Sequence, residues 1–375
     1  MFPPTHRRGV KKKGMSTALL LENNVVVDYR TSMRSAPKIV VIGASAGGVE
    51  ALLKLVTSLP KDFGAALFIV LHIGSHKSEL PWLLNRLERL PARHPKDGEP
   101  FEAGQIYVAP PDHHMVLEPG RISLTKGPRE NWARPAIDPL FRSAADVYGS
   151  AVIGMILTGG LNDGTAGLYQ VAQAGGTTIV QDPADATNPS MPQSALAHVA
   201  VDYCLPMADI TPLLIRLVGE ASNAPSLPAP TLEEQPQEDE EMAAEFTQNM
   251  PVAVTCPDCG GALRRRELGS LTQFACHIGH IYTAEVMMAA QFLTLERFIE
   301  SAMRSLGERA ELCRQMAGKS LPNGPSPDSS SWEAAMREAH EQTEPLREMI
   351  TREWIHPSVI GVIEHTASSK VVKPR

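Results

Sequence analysis

The sequence predicts an α/β fold, an open and mostly parallel doubly wound sheet, followed by a small zinc ribbon and an α-helical tail. Three observations predict it. Apolar, β-branched runs of strand length alternate with helix-period segments across residues 37–220. A Cys-x-x-Cys pair at Cys256 and Cys259 is answered, after 16 intervening residues, by Cys276-His277-Ile-Gly-His280. Beyond that, apolar residues recur at three- and four-residue steps through two further segments. The expected layout is a basic arm over 1–36, the sheet domain over 37–220 and an acidic, Pro-rich linker over 221–250. A ribbon over 251–283, a helix over 284–317, a linker over 318–331, a helix over 332–355 and a tail over 356–375 complete it.

The first strand is the apolar run Ile39 to Ile42, and from Val49 a helix presents Leu52, Leu53 and Val56 on one side. Between them, Gly43-Ala44-Ser45-Ala46-Gly47 is a G-x-S-x-G pattern. A sharp strand-to-helix turn of this kind lifts a serine oxygen clear of the sheet edge, with small neighbours to avoid collision. The pattern is neither G-x-G-x-x-G nor a P-loop, since no Lys-Ser/Thr follows. Ser45 is therefore the candidate nucleophile.

Ala66 to Leu71 reads as a second buried strand ending at His72, followed by a helix over Leu80–Leu90. Gln105–Ala109, Met115–Glu118 and Arg121–Leu124 are short extended pieces, expected as an inserted hairpin or small antiparallel section. Ile137–Val147 is a helix with Pro139 in its first turn, where proline is tolerated. Ala151–Leu157 is a third buried strand running into Thr158-Gly-Gly-Leu-Asn-Asp163-Gly164, then a helix to about Ala174. Gly176–Val180 is a fourth strand, with helices at Pro192–Val199 and Asp209–Val218. Ligands of such sheets sit beyond the carboxyl ends of the strands. Ser45, His72 and Asp163 all fall there, on three separate strands.

Composition narrows the class. A formal charge of −7, with 21% charged and 43% apolar residues, argues for a soluble protein and against nucleic-acid binding. No run approaches the ~18 apolar residues of a membrane span. The arm carries Arg7, Arg8, Lys11, Lys12 and Lys13, and its apolar patch Ala18–Leu21 is too short for a signal-peptide core; Met15 offers an alternative start. Three of the five cysteines stand in metal-ligand spacing, which fits a reduced, cytoplasmic setting.

In the ribbon, two thiolates on a tight turn and a second pair on a returning hairpin make a closed tetrahedral site for structural zinc. Cys256, Cys259 and Cys276 are three of its ligands. The fourth is His280 or His277, with His280 preferred because its three-residue gap lets the chain wrap around the metal. Phe292, Leu295, Ile299, Met303, Leu306, Ala310 and Cys313 then mark an amphipathic helix, and Trp332 to Trp354 a second, kinked or restarted near Pro345. The two helices are expected to pack on each other, with a dimer contact or a signalling partner as alternatives.

A serine hydroxyl needs a base within hydrogen-bond reach, and the base needs a carboxylate to fix its tautomer. His72 and Asp163 stand where those roles require them. Their order, Ser-His-Asp, differs from the Ser-Asp-His of α/β-hydrolases.

From Lys38 to about Leu214 the chain resembles the catalytic domain of the chemotaxis protein-glutamate methylesterases, the CheB family. The likeness rests on Ile42-Gly-Ala-Ser-Ala-Gly-Gly-Val-Glu-Ala51, Val70-Leu-His72, Val108-Ala-Pro-Pro111, Leu157-Thr-Gly-Gly-Leu-Asn-Asp-Gly-Thr-Ala-Gly167 and Met191-Pro-Gln-Ser194, which arrive in family order. It implies hydrolysis of glutamyl γ-methyl esters on the cytoplasmic helices of chemoreceptors, with deamidation of receptor glutamines as a side activity and no catalytic cofactor. It also implies Ser45 as nucleophile, His72 as general base and acid, Asp163 as orienting carboxylate, and backbone N–H groups of Gly160 and Ala46 as oxyanion donors. The sequence departs from the family at Ala46, Ile73-Gly74 and Gly160. The roughly 35 residues before the first strand are too few for a receiver domain, so control by a receiver in the same chain is not expected. The zinc ribbon and helices resemble the tail of some stand-alone members. Two rivals stand beside this reading: a hydrolase of another ester or amide, selected by a pocket around Pro110–His113 and Asn131–Asp138, and an idle receptor-docking scaffold.

Overall fold

The structure, a computed structural model, describes residues 38–72, 77–221, 251–318, 320–321, 324–325 and 329–352. The expected basic arm, Ile73-Gly74, the acidic linker run and the C-terminal tail lie outside these residues.

Strand β1 (Ile39–Ala44) is central and buried at every position. Helix α1 (Gly48–Thr57) follows, then β2 (Ala66–Leu71), α2 (Leu80–Asn85), β3 (Ala92–Arg93) and β4 (Ile106–Val108). A hairpin of β5 (His114–Glu118) and β6 (Arg121–Thr125) leads into α3 (Ile137–Tyr148). The domain continues with β7 (Val152–Ile156), α4 (Thr165–Gln173), β8 (Thr177–Gln181), α5 (Ser190–His198), β9 (Tyr203–Leu205) and α6 (Met207–Ala221). The seven strands lie in the order β3-β4-β2-β1-β7-β8-β9, all parallel. Sequence and space diverge on either side of β1: the chain fills β2, β4 and β3 to one side, then returns to fill β7, β8 and β9 on the other. That reversal is the switch point where α/β sheets bind ligands.

Both faces are buried, which is why the strands read as unbroken apolar runs. Val40, Ile42 and Ala44 point to one core with Leu52, Leu55, Ile210 and Leu214 of α1 and α6. Ile39 and Val41 point to the other, with Ile137, Phe141, Leu168 and Met191 of α3, α4 and α5.

Three expectations are corrected. Ile106–Val108 is not part of the inserted section but a parallel strand paired with β2, and only β5 and β6 form the antiparallel hairpin. Helix α2 stops at Asn85, well before Leu90, where Asn85 turns back to bond both the N–H and the carbonyl of Ala92, and Glu88 is left-handed at φ 51°. The last helix does not restart at Pro345 but continues through it, and the proline is exposed, where solvent can reach the carbonyl it leaves unpaired.

Beyond the sheet domain, β10 (Pro251–Thr255), β11 (Ala262–Leu268), β12 (Leu271–Cys276) and β13 (Ile281–Thr283) form an antiparallel sheet. Helix α7 (Ala284–Ala317) starts directly from β13, capped by the Thr283 hydroxyl, and α8 (Ser329–Thr351) packs along it. No helix among the described residues is long and apolar enough to cross a membrane.

Candidate active site

The G-x-S-x-G turn is built by close approach. A Cβ on Gly43 would lie 2.5 Å from the Ile137 side chain, and Gly47 takes φ 80° to open α1. Ser45 leaves the end of β1, its N–H donating to Thr158 O at 3.0 Å. The Thr158 hydroxyl donates to Ala46 O at 2.8 Å, which pins the turn to the loop after β7. Gly159 allows that loop to come close: a Cβ there would be 2.0 Å from Met191 Sδ and 2.9 Å from Ser45 Cβ.

His72 follows β2, the neighbour of β1, and its N–H donates to Ala44 O at 3.2 Å. Ser45 and His72 therefore leave adjacent strands one step past the last paired residues. Among the described contacts no hydrogen bond joins their side chains, as is common for catalytic serines before substrate binds. His72 Nε2 donates to Asp163 Oδ2 at 2.8 Å. An ionised carboxylate has no proton to give, so Nε2 carries it and Nδ1 is left as the basic nitrogen. This is the reverse of the trypsin-type assignment.

Asp163 stands just before α4, where an aspartate could cap the helix. The cap position goes to Gly164, at φ 92°, and the Asp163 side chain turns to His72 instead. Its carboxylate is 2% exposed and fully bonded. Oδ2 also accepts from Ile137 N–H at 2.6 Å, and Oδ1 accepts from Asn131 Nδ2 at 2.9 Å. Burial alone would push its pKa up, but the bonds from His72, Ile137 and Asn131 outweigh it and hold the group below the usual carboxylate range.

A second carboxyl stands beside it. Asp138, 1% exposed, accepts from Gly167 N–H at 2.7 Å and from the same Asn131 Nδ2 at 2.8 Å. Burial first, and the Asp163 charge second, push its pKa well up. The neighbouring carboxyls are thus pushed in opposite directions, Asp163 down by the donors that face it and Asp138 up by burial and the Asp163 charge.

The N–H groups of Ser45 and Gly159 are taken by Thr158 O and Asn188 O. Among the described residues, those of Ala46 and Gly160 donate to no protein acceptor, which leaves them available to a ligand oxygen.

Asn131 and Asp138 carry no role in the sequence reading beyond lining a pocket. Asn131 gives no local signal, because its partner Asp163 is 32 positions away. Asp138 does give one: it is a lone carboxyl in the apolar run Ala136-Ile-Asp-Pro-Leu-Phe141.

In the ribbon, Cys256, Cys259, Cys276 and His280 bring their ligand atoms within 4.8 Å of one another. His277 is exposed, lies over Gly261 and is not one of the four.

A model of the CheB methylesterase family matches residues 40–214, the sheet domain. The putative protein-glutamate methylesterase/protein-glutamine glutaminase of Leptospira interrogans serovar Lai is 40% identical over 181 residues, 48% of this chain and 93% of that protein. Protein-glutamate methylesterase/protein-glutamine glutaminase 2 of Anaeromyxobacter dehalogenans is 39% identical over 175 residues, 46% of this chain and 51% of that protein. The crystal structure of the Thermotoga maritima CheB methylesterase catalytic domain is 36% identical, with a TM-score of 0.47, over 48% of this chain and 99% of that one.

Proposed function

The chain belongs to the CheB methylesterase family, and from that premise we propose that it is a protein-glutamate methylesterase. It removes γ-methyl esters from glutamyl residues on the cytoplasmic helices of chemotaxis receptors. The observation that carries this reading is the bonded His72–Asp163 pair, set in the segments that follow the two strands flanking β1.

Ser45 Oγ attacks the ester carbonyl as His72 Nδ1 takes its proton. The carbonyl oxygen becomes an oxyanion facing the free N–H groups of Ala46 and Gly160. Collapse breaks the C–O bond, His72 returns the proton to the leaving oxygen, and methanol departs, leaving a glutamyl ester on Ser45. Water then attacks with His72 as base, and free glutamate and serine result. Asp163 stays ionised throughout, holding the imidazole in one tautomer and stabilising its cation. The same centre with a glutamine substrate would release ammonia, in keeping with the second activity in the relatives' names.

The ribbon's role in this reading is structural, and its ligand set supports zinc. Zinc–sulfur bonds of about 2.3 Å and zinc–nitrogen bonds of about 2.0 Å, in a tetrahedron, put sulfurs about 3.8 Å apart and sulfur about 3.5 Å from nitrogen. Cys259 and Cys276 sulfurs are 3.7 Å apart, and His280 Nδ1 is 3.6 Å from Cys256 and 3.5 Å from Cys276. Three thiolates and an imidazole leave no open position for catalysis.

The test is methanol release from a methylated receptor fragment, comparing the native chain with Ser45→Ala. Release that disappears in the variant supports the esterase and the nucleophile together. Undiminished release by the variant overturns the assignment of Ser45.

A further inference from the structure

We propose that Asn131 is a positioning residue of the esterase centre, and that the zinc ribbon holds it in place. The inference rests on the methylesterase reading and extends it to the C-terminal region, for which that reading supplies only a fold.

Asn131 joins the sheet domain to the ribbon through its side-chain amide and its backbone N–H. Its Nδ2 donates to Asp163 Oδ1 and Asp138 Oδ2, and its Oδ1 accepts from the N–H of Thr283 in β13 at 3.1 Å. Its own N–H donates to Ile281 O at 2.8 Å. Two carboxyl acceptors on one side and a backbone donor on the other allow only one orientation of the amide. The side chain is therefore a bridge from the last strand of the ribbon to the carboxylate that orients His72.

The backbone at this point is strained. Asn131 and Trp132 are both left-handed, at φ 48° and 67°, and such conformations persist only where the surroundings over-determine them. Part of that surrounding is the sheet domain. Glu130 is paired with Arg142 at 2.7 Å, and His114 spans the loop, bonding Pro128 O and Ala136 N–H. The rest is the ribbon. Ile281 N–H donates to Arg129 O, Glu130 and Ile281 form a parallel β-bridge, and Trp132 packs on the cluster of Cys256, Cys276 and Tyr282.

A second set of contacts holds the residue next to Asp163 in sequence. Asn162, the residue before Asp163, accepts from the Thr283 hydroxyl at 2.7 Å and donates to Glu285 at 2.6 Å. Thr283 and Glu285 open α7, so both the sequence neighbour and a hydrogen-bond partner of Asp163 are fixed by the junction of ribbon and helix. That junction begins three residues beyond His280, the candidate ligand next to Ile281. A ribbon that loses its metal would lose β13, and with it the restraint on Asn131.

The test uses the full-length chain, with zinc and a chelator as the probes. In steady-state methanol release, Asn131→Ala should lower kcat about tenfold and leave KM within about twofold, because Asn131 acts on Asp163 and not on substrate. Cys256→Ser should produce a loss of the same size. The double variant should be no worse than either single one, as residues acting along one path require. Independently of activity, the low-field proton on His72 Nε2, observed by NMR, should shift in Asn131→Ala. It should shift likewise when the chelator strips zinc from the native chain, and not respond to chelator in Asn131→Ala. Losses that multiply, a change confined to KM, or a His72 proton indifferent to both variants and to chelator would overturn the proposal. If no form of the chain releases methanol, the esterase reading fails, and the His72 resonance still decides whether the ribbon holds the triad's carboxylate.

Discussion

The sheet domain and the ribbon reach a fixed shape by different physics. The sheet is covered on both faces, and each face has its own continuous core drawn from helices far apart in sequence. Burial of that extent holds a fold without help. The ribbon has a single small cluster, Cys256, Leu263, Cys276, Tyr282, Val286 and Met287, in which two of the six are metal-ligand candidates. A sheet so thinly covered would gain most from a metal on those candidate ligands and from its neighbour, and it borrows Trp132 from the loop that carries Asn131. The difference teaches where each region is vulnerable: the sheet domain to a lost methyl or an added one, the ribbon to a lost ligand.

The largest effect expected is on chemistry alone. Ser45→Ala should reduce methanol turnover by about 10⁶-fold with no change in thermal unfolding, since the side chain makes no contact on which the core depends. Asp163→Asn should cost about 10⁴-fold, because an amide in that place no longer forces the proton onto His72 Nε2. Cys256→Ser separates the two regions most sharply. Metal analysis should fall from about one zinc per chain to none, and the unfolding transition of the sheet domain should remain.

Smaller effects probe the sheet domain's packing and electrostatics. Gly159→Ala puts a carbon against Met191 and Ser45 and should destabilise by about 1–3 kcal/mol, read from denaturant midpoints. The smallest is a pH dependence with a defined sign. Asp163 has a lowered folded pKa, so its contribution to stability is present above the unfolded value of about 4 and is lost as pH falls through the folded one. Asp138 has a raised one, so its ionisation costs stability progressively as pH rises above about 4. In Asp138→Asn that cost is absent. Whatever constant penalty the new amide brings by facing a donor, the variant's Tm relative to native should climb by about 2 to 4 °C between pH 4 and 7. A difference flat with pH would contradict the division of charge between the two carboxyls.

The parts legible in sequence were those whose signal is local. The run into Gly43 and the glycines around Ser45 announce a strand and its tight turn, and the apolar run before Thr158 announces β7. Their carboxyl ends then locate Ser45 and Asp163 on one edge. The cluster of Cys256, Cys259, Cys276 and His280 as candidate metal ligands is legible through spacing alone. Ile106–Val108 was not legible as a sheet strand, because three residues carry no period and only pairing with β2 assigns them. The short β3 and β9 were missed for the same reason. Pro345 misled because proline's penalty falls on a carbonyl that water can satisfy at an exposed site. Asn131 is the clearest case of information that exists only in the folded chain. Its left-handed backbone and four partners, from 7 to 152 positions away, leave no trace in its immediate sequence.

The most direct test of the central claim is to trap the acyl-enzyme. The chain would be mixed with a glutamyl methyl ester substrate, quenched in acid before deacylation, and mapped by mass spectrometry of its peptides. The account predicts a glutamyl adduct on the peptide carrying Ser45, absent when His72 is replaced by alanine. An adduct on another side chain, or turnover with the same ester in Ser45→Ala, would contradict it.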